Sequence, residues 1–213
     1  MAETELLGLI ALDRRLALSY APRASRGLFL GLYALDARLE AIVRSAREPV
    51  LAQLKLAWWR DRLAASPAQR PRGEPVLAGL ELWGNESGAL SALVDAWEHQ
   101  LGDDPQSKDS ISAFAQARAG ACAALARLTG ADPAMAGWAG HAWGLLDIAA
   151  LQGPSANLRA VADIADWRSP ALPRSLRPLS IHFGLAKRSN NRNFAAGDAR
   201  DLLLAVRLGL LGI

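Results

Sequence analysis

Cysteine is almost absent from this sequence. Cys122 is the only cysteine among 213 residues, which excludes an intramolecular disulfide and favours a reducing compartment. Its neighbours are Ala121, Ala123, Ala124 and Leu125. Because nothing next to it in the sequence would activate a thiol, we expect Cys122 to be a small buried hydrophobic side chain and not a nucleophile.

The sequence also lacks a long apolar run and a basic, signal-like start. Its first residues include Glu3 and Glu5, and no apolar stretch reaches the ~20 residues of a membrane span. We therefore expect no transmembrane segment and a cytoplasmic location. Peripheral contact with a membrane remains compatible with the sequence.

Runs of like charge and the common enzyme motifs are missing as well. The formal net charge is only +3, and basic residues are interspersed with acidic ones along the whole chain instead of forming a run, so we expect no nucleic-acid partner. His99, His141 and His182 have no cysteine or paired acid at ligand spacing, so no zinc site is expected. The phosphate-binding loop, the dinucleotide fingerprint and the nucleophile elbow do not occur.

What the sequence does contain is helical periodicity. Hydrophobic residues make up 51% of the chain and recur every three or four positions, while the alternation typical of strands is absent. This pattern predicts an all-α fold with a single domain over residues 1–213. The predicted helices cover residues 4–20, 24–45, 49–65, 88–101, 110–129, 134–151, 175–188 and 198–210, with shorter helical pieces near 76–82 and 157–166.

A few residues separate the predicted helices 24–45 and 49–65, so these helices should pack as antiparallel neighbours. The expected helix boundaries have local causes. Pro22 and Pro49 suit first helical turns, Gly130 suits a C-terminal cap, and Ser107 suits an N-terminal cap.

Three segments form the most specific pattern in the sequence, and they occur in a fixed order. They are residues 19–26 with 32–44, the Leu-Ala-Trp-Trp-Arg run at 56–60, and residues 114–120 with 140–148. Together they resemble the squalene/phytoene synthase family, which joins two prenyl diphosphates head to head. The resemblance implies an isoprenoid-synthase-like helical bundle. Residues 172–179 extend it to a divergent subgroup that includes the mitochondrial complex I assembly factor 6.

The resemblance also locates the acidic motifs of the family. Active members carry two D-x-x-x-D motifs, whose carboxylates bind the Mg²⁺ ions that stabilise a leaving diphosphate. The matching positions here are Glu40 and Arg44 in the first motif and Leu151 and Ser155 in the second. Three of the four acids are therefore absent, and we expect Glu40 to pair with Arg44 instead of binding a metal.

The basic residues that the resemblance implies for the family's pocket are present more completely than the acidic ones. An arginine side chain can bind phosphate through two hydrogen bonds. The alternative for each arginine is an ion pair at the surface with a neighbouring acid such as Asp36 or Asp61. The candidate pocket and diphosphate-binding residues are Tyr33, Arg26, Arg38, Glu40, Arg60, Arg118 and Asp147.

Three functional hypotheses follow from the resemblance and the missing acids. The leading one is a non-catalytic family member without catalytic residues, metal or cofactor, which binds an isoprenoid, a lipid or a protein client. The second is a divergent prenyl transferase that uses Mg²⁺, with Glu40 and Asp147 as its reduced ligand set. The third is a helical interaction module whose pocket is filled by Trp and Leu side chains.

Overall fold

A computed structural model describes residues 2–71, 73–102, 104–105, 107–152, 171–188 and 199–212. Over these ranges the chain is helical and contains no strand, which confirms the all-α prediction. Short 3₁₀ turns cover Pro67–Gln69, Glu81–Ser87 and Arg174–Leu176. The α-helices are α1 Ala2–Leu9, α2 Leu12–Ser19, α3 Arg23–Arg44, α4 Pro49–Ala64, α5 Pro75–Gly79, α6 Gly88–His99, α7 Lys108–Leu128, α8 Pro133–Gln152, α9 Arg177–Arg188 and α10 Ala199–Leu211.

The ends of several helices follow from local residues, as the sequence predicts. Pro49 occupies the first turn of α4, whereas Pro22 lies at the N-cap of α3, one residue before the first turn expected for it. The Ser107 hydroxyl accepts a hydrogen bond of 3.1 Å from the backbone N–H of Ser110 at the start of α7. Gly130 follows the end of α7 with a φ of +69°, a conformation that favours glycine.

The predicted helix over residues 4–20 is wrong in one respect, because the chain leaves the helical path between α1 and α2. Ala11 has an extended backbone, and Ile10 is buried in the core. The guanidinium of Arg15 donates a 2.9 Å hydrogen bond to the carbonyl of Ile10. This contact satisfies a backbone acceptor at the break, which would otherwise be costly. The predicted piece at 157–166 lies outside the described residues.

Helix α3 runs through the middle of the bundle and contacts α1, α2, α4, α5, α6 and α7. Its contact with α4 agrees with the expected neighbouring pair, although α4 packs more extensively against α6. None of the helices in the described ranges is both long and apolar enough to cross a membrane.

Helices α7 and α8 form the most extensive helix pair of the described chain. Glycines permit their close approach. A Cβ atom on Gly140 would lie 2.6 Å from the Sγ of Cys122, and one on Gly144 would lie 2.8 Å from the Cα of Ala115. Both distances are too short for real contacts, so this interface requires glycine at the two positions. The seam brings Arg118 of α7 next to residues of α8.

Candidate functional site

Two arginines and two aspartates meet where α2, α3, α7 and α8 come together. Arg14 lies 2.6 Å from the carboxylate of Asp36 and 2.8 Å from that of Asp147. Arg118 lies 2.8 Å from the carboxylate of Asp36. Its other terminal nitrogen lies 3.1 Å from Asp147, close enough for an ion pair but not aligned for a hydrogen bond. We call these four residues the central charge cluster.

The central charge cluster is removed from solvent and formally neutral. The side chains of Asp36 and Arg118 are fully buried, and that of Asp147 is 18% exposed. Asp36 also accepts a 2.9 Å hydrogen bond from the indole N–H of Trp97. A buried ion pair of this kind is tolerated only when charges and hydrogen bonds are matched, because removing charge from water is expensive.

A group of stacked rings adjoins the cluster. Trp143 of α8 lies parallel to His182 of α9, with ring centres 4.4 Å apart, and the guanidinium of Arg118 lies 3.9 Å from the centre of the Trp143 ring. The hydroxyl of Tyr33 and Nε2 of His182 are 2.8 Å apart, a hydrogen-bond distance. We call Tyr33, Trp143 and His182 the aromatic stack. The aromatic stack extends from the central charge cluster into the apolar core.

Burial and neighbouring charges shift the pKa values of the two aspartates in opposite directions. Burial alone would raise the pKa of Asp36, but Arg118, Arg14 and the Trp97 N–H outweigh it, so this pKa lies below its ordinary value. Burial raises the pKa of Asp147 to about 6, because Arg14 and Arg118 offset it only in part and Asp36 repels a second negative charge. Asp36 is therefore the more firmly ionised partner.

The aromatic stack is kept uncharged. Burial, with the positive charges of Arg14 and Arg118, lowers the pKa of His182 well below 6.5. Burial likewise raises the pKa of Tyr33 well above 10. A neutral phenol and a neutral imidazole can share one hydrogen bond without a buried charge.

Cys122 is buried, as expected from its neighbours. Burial raises the pKa of its thiol to about 12. Because the thiolate is the reactive form, this residue is poorly suited to nucleophilic chemistry.

Of the residues singled out from the sequence, Arg118 and Asp147 meet in the central charge cluster, and Tyr33 lies in the aromatic stack. Glu40 lies 3.3 Å from Arg44 in an ion pair, as the sequence predicts. The first motif position therefore carries a salt bridge along α3.

The other three arginines lie in separate ion pairs near the surface. Arg26 lies 3.2 Å from Glu3, and Arg38 lies 3.5 Å from Glu74. Arg60 of α4 donates a 2.7 Å hydrogen bond to Asp95 of α6 and also pairs with Glu98. The structure does not bring these guanidiniums together with Arg118.

Arg14 was not expected in a site, and the expectation that Asp36 pairs at the surface is wrong, because Asp36 is fully buried between Arg14 and Arg118. A signal for Asp36 is present, because Leu32, Leu35 and Leu39 surround it on the buried face of α3. An acid in the middle of an apolar stripe needs a buried basic partner. Trp97, Trp143 and His182 carried no signal beyond that of ordinary core residues.

The two aspartates of the central charge cluster are not available to bind the Mg²⁺ ions that two acidic motifs would hold. Asp36 already accepts from Arg14, Arg118 and Trp97. Asp147 faces both guanidiniums of the cluster. In the part of the chain that the structure describes, no three His, Cys, Asp or Glu residues are grouped as metal ligands. Ser155, at the end of the second motif position, lies outside it.

The squalene/phytoene synthase family model matches residues 12–153, which is more than half of the chain and includes α2 to α8. All four residues of the central charge cluster fall within the matched range. No curated protein and no solved structure matches the chain.

Proposed function

We propose a binding role without catalysis for this chain, which belongs to the squalene/phytoene synthase family. It keeps the helical bundle as a binding scaffold and does not condense prenyl diphosphates. The observation that carries this proposal is the internal neutrality of the central charge cluster. Its two guanidiniums are matched by two carboxylates of the same chain.

The condensation needs stabilisation of a leaving diphosphate, which carries about three negative charges and is held by metal ions and cationic side chains. Arg118 is a natural candidate for that role, but it is fully buried and faces Asp36 and Asp147. Moving it toward a ligand would leave Asp36 short of a partner. Breaking a buried pair in this way costs roughly 3–5 kcal/mol.

The first motif supports the same conclusion. Arg44 places a positive charge at a position where active members of the family carry an acid, and it holds Glu40 in a salt bridge. Leu151, at the first position of the second motif, is partly buried and packs against the core. A metal site built from Glu40 and Asp147 would require both to leave their arginine partners.

The bound molecule is then recognised by apolar or surface contacts and not by a diphosphate clamp. An isoprenoid or lipid without a diphosphate fits this requirement, and so does a protein client. The resemblance of residues 172–179 to the assembly-factor subgroup supports the protein client. In the structure Leu172 and Leu176 anchor this segment in the core.

Calorimetric titration of the purified chain with farnesyl diphosphate and with farnesol, each with and without Mg²⁺, tests the proposal. We expect Mg²⁺ to leave the affinity for farnesyl diphosphate unchanged. Equal binding of farnesol assigns an isoprenoid ligand, and binding of neither compound favours a protein client. Tight binding of farnesyl diphosphate that requires Mg²⁺ and is lost in Glu40→Ala would contradict the proposal and favour the divergent prenyl transferase.

A further inference from the structure

Helix α4 has apolar residues on two opposite faces. Its inner face carries Ala52, Leu56, Trp59 and Leu63, all buried. The outer face exposes large apolar side chains to solvent. Because each residue of a helix is rotated by 100°, these side chains lie almost opposite the buried ones. They are Val50 at 65% exposure, Leu51 at 53%, Leu54 at 63% and Trp58 at 40%. We call these four residues the outer stripe.

A contiguous apolar patch of this kind marks an interaction surface, whereas single exposed apolar residues are ordinary. The buried face of α4 already packs this helix against the bundle. Packing within the chain therefore does not explain why the outer stripe is apolar. Trp58 lies edge-on to Trp59, with ring centres 5.1 Å apart. The partly exposed Trp58 ring is therefore held against a fixed neighbour.

Basic residues border the outer stripe. Lys55 and Arg62 fall on one flank of it by helical spacing, and Arg47 precedes the helix. Arg47 and Lys55 are exposed and form no ion pair with any other described residue. Between residues 44 and 62 the sequence has five basic residues, Arg44, Arg47, Lys55, Arg60 and Arg62, and two acidic ones, Glu48 and Asp61. Arg44 and Arg60 are held in the ion pairs described above, so Arg47, Lys55 and Arg62 supply the positive charge beside the outer stripe, and the exposed Asp61 opposes it in part.

We infer that α4 docks on the surface of an anionic lipid membrane, with the outer stripe buried among the headgroups and the flanking basic residues against lipid phosphates. Leucine and tryptophan on one face with lysine and arginine beside it are typical of helices that lie in the membrane interface. Each basic residue near such a surface strengthens the attachment. This inference is independent of the proposed function.

A second protein surface is a poorer match for the same residues. A stable protein interface buries roughly 800 Å² on each partner, supplied by about 20–30 residues. The outer stripe offers four side chains on one helix. A lipid surface needs no complementary shape, so a single exposed helical face is sufficient.

Flotation of the purified full chain with vesicles tests the inference. We expect binding to phosphatidylcholine vesicles that contain phosphatidylglycerol, little binding to phosphatidylcholine alone, and weaker binding at high salt. Leu54→Ser combined with Val50→Ser should abolish it. The matched control is Leu82→Ser, since Leu82 has the same 63% exposure and lies in the 3₁₀ turn Glu81–Ser87.

A charge pair of variants separates attraction to anionic lipid from general stickiness. Lys55→Glu should lower the vesicle partition coefficient about tenfold or more, since it removes one attractive charge and adds a repulsive one. Lys108→Glu makes the same change at an exposed residue in the first turn of α7. We expect this control to bind as the wild type does.

Site-specific fluorescence identifies the occupant of the outer stripe. Cys122 is fully buried, so a Leu54→Cys variant can be labelled selectively with an environment-sensitive dye. We expect its emission to shift to the blue with anionic vesicles, and that of labelled Leu82→Cys to stay unchanged. No vesicle binding, binding that survives the loss of Val50 and Leu54, or a concentration-dependent blue shift without lipid would overturn the inference; the last result would indicate a second copy of the chain.

Discussion

Arg118 and Asp36 face each other at 2.8 Å with neither side chain exposed to solvent. Arg118 comes from α7 and Asp36 from α3, 82 residues apart in the sequence. This pair joins the middle of the bundle to the close α7–α8 seam. A family member that bound a diphosphate through Arg118 would need this guanidinium free. Here it is part of the fold.

Asp36→Ala should be strongly destabilising, because the two positive charges of Arg14 and Arg118 would then be balanced only by the single negative charge of Asp147. The expected loss is roughly 3–5 kcal/mol of unfolding free energy. Urea denaturation measures it. Glu40→Ala breaks the exposed salt bridge with Arg44 and serves as the control, with an expected loss of about 0.3–0.5 kcal/mol. Similar losses in the two variants would argue against a structural role for the cluster.

Asp147 predicts a pH dependence of stability. Its pKa rises from an ordinary 3.8 to about 6 on folding, so the folded state binds this proton more tightly than the unfolded chain. The contribution is fully present below pH 3.8 and is lost as the pH rises through about 6. Asp147→Asn removes the titration. We expect the stability of the wild type relative to this variant to fall between pH 4 and 6, as measured by urea unfolding at several pH values; a rising difference would refute the assignment.

His182 predicts a dependence of the opposite sign. Its pKa is lowered well below 6.5 in the folded state, so the unfolded chain takes up a proton first as the pH falls. Its contribution is present above pH 6.5 and is lost on acidification. His182→Phe keeps a flat ring against Trp143 and cannot titrate. The decline of stability below pH 6.5 should therefore be shallower in His182→Phe than in the wild type, and equal slopes would speak against a buried neutral imidazole.

The α7–α8 seam predicts opposite effects for two glycine substitutions. In Gly144→Ala the new Cβ would lie 2.8 Å from the Cα of Ala115, so the helices must separate, at a cost of about 1–3 kcal/mol. Gly120 lies exposed in α7 with no atom within 4 Å of a new Cβ. Gly120→Ala should stabilise by about 0.5–1 kcal/mol, since alanine is the better helix former. Thermal unfolding of both variants checks the contrast, which a stabilised Gly144→Ala would contradict.

Local chemistry explains why much of the fold could be predicted from the sequence. The spacing of apolar residues together with Pro49, Ser107 and Gly130 located α4 and α7 within a few residues. The break between α1 and α2 could not be predicted in this way, because apolar periodicity continues across it. At the break the Arg15 guanidinium donates to the carbonyl of Ile10, a side-chain contact that the spacing of apolar residues does not encode.

The central charge cluster shows a similar division. The matched segments indicate Arg118 and Asp147 as pocket residues, whereas the place of Arg14 in the cluster and the arginine partners of Asp36 are visible only in the structure. Arg14 is separated from Asp147 by 133 positions, and no spacing rule connects such residues. The buried position of Asp36 was readable in principle from its leucine neighbours, but its partners were not.

Diphosphate release is the measurement that tests the proposed lack of catalysis most directly. The purified chain is incubated with farnesyl or geranylgeranyl diphosphate and Mg²⁺, and both inorganic diphosphate and hydrocarbon products are quantified. The proposed function predicts no turnover above the protein-free control. Protein-dependent turnover that Glu40→Ala abolishes and Glu48→Ala, at an exposed acid just before α4, leaves intact would contradict it and establish a divergent synthase.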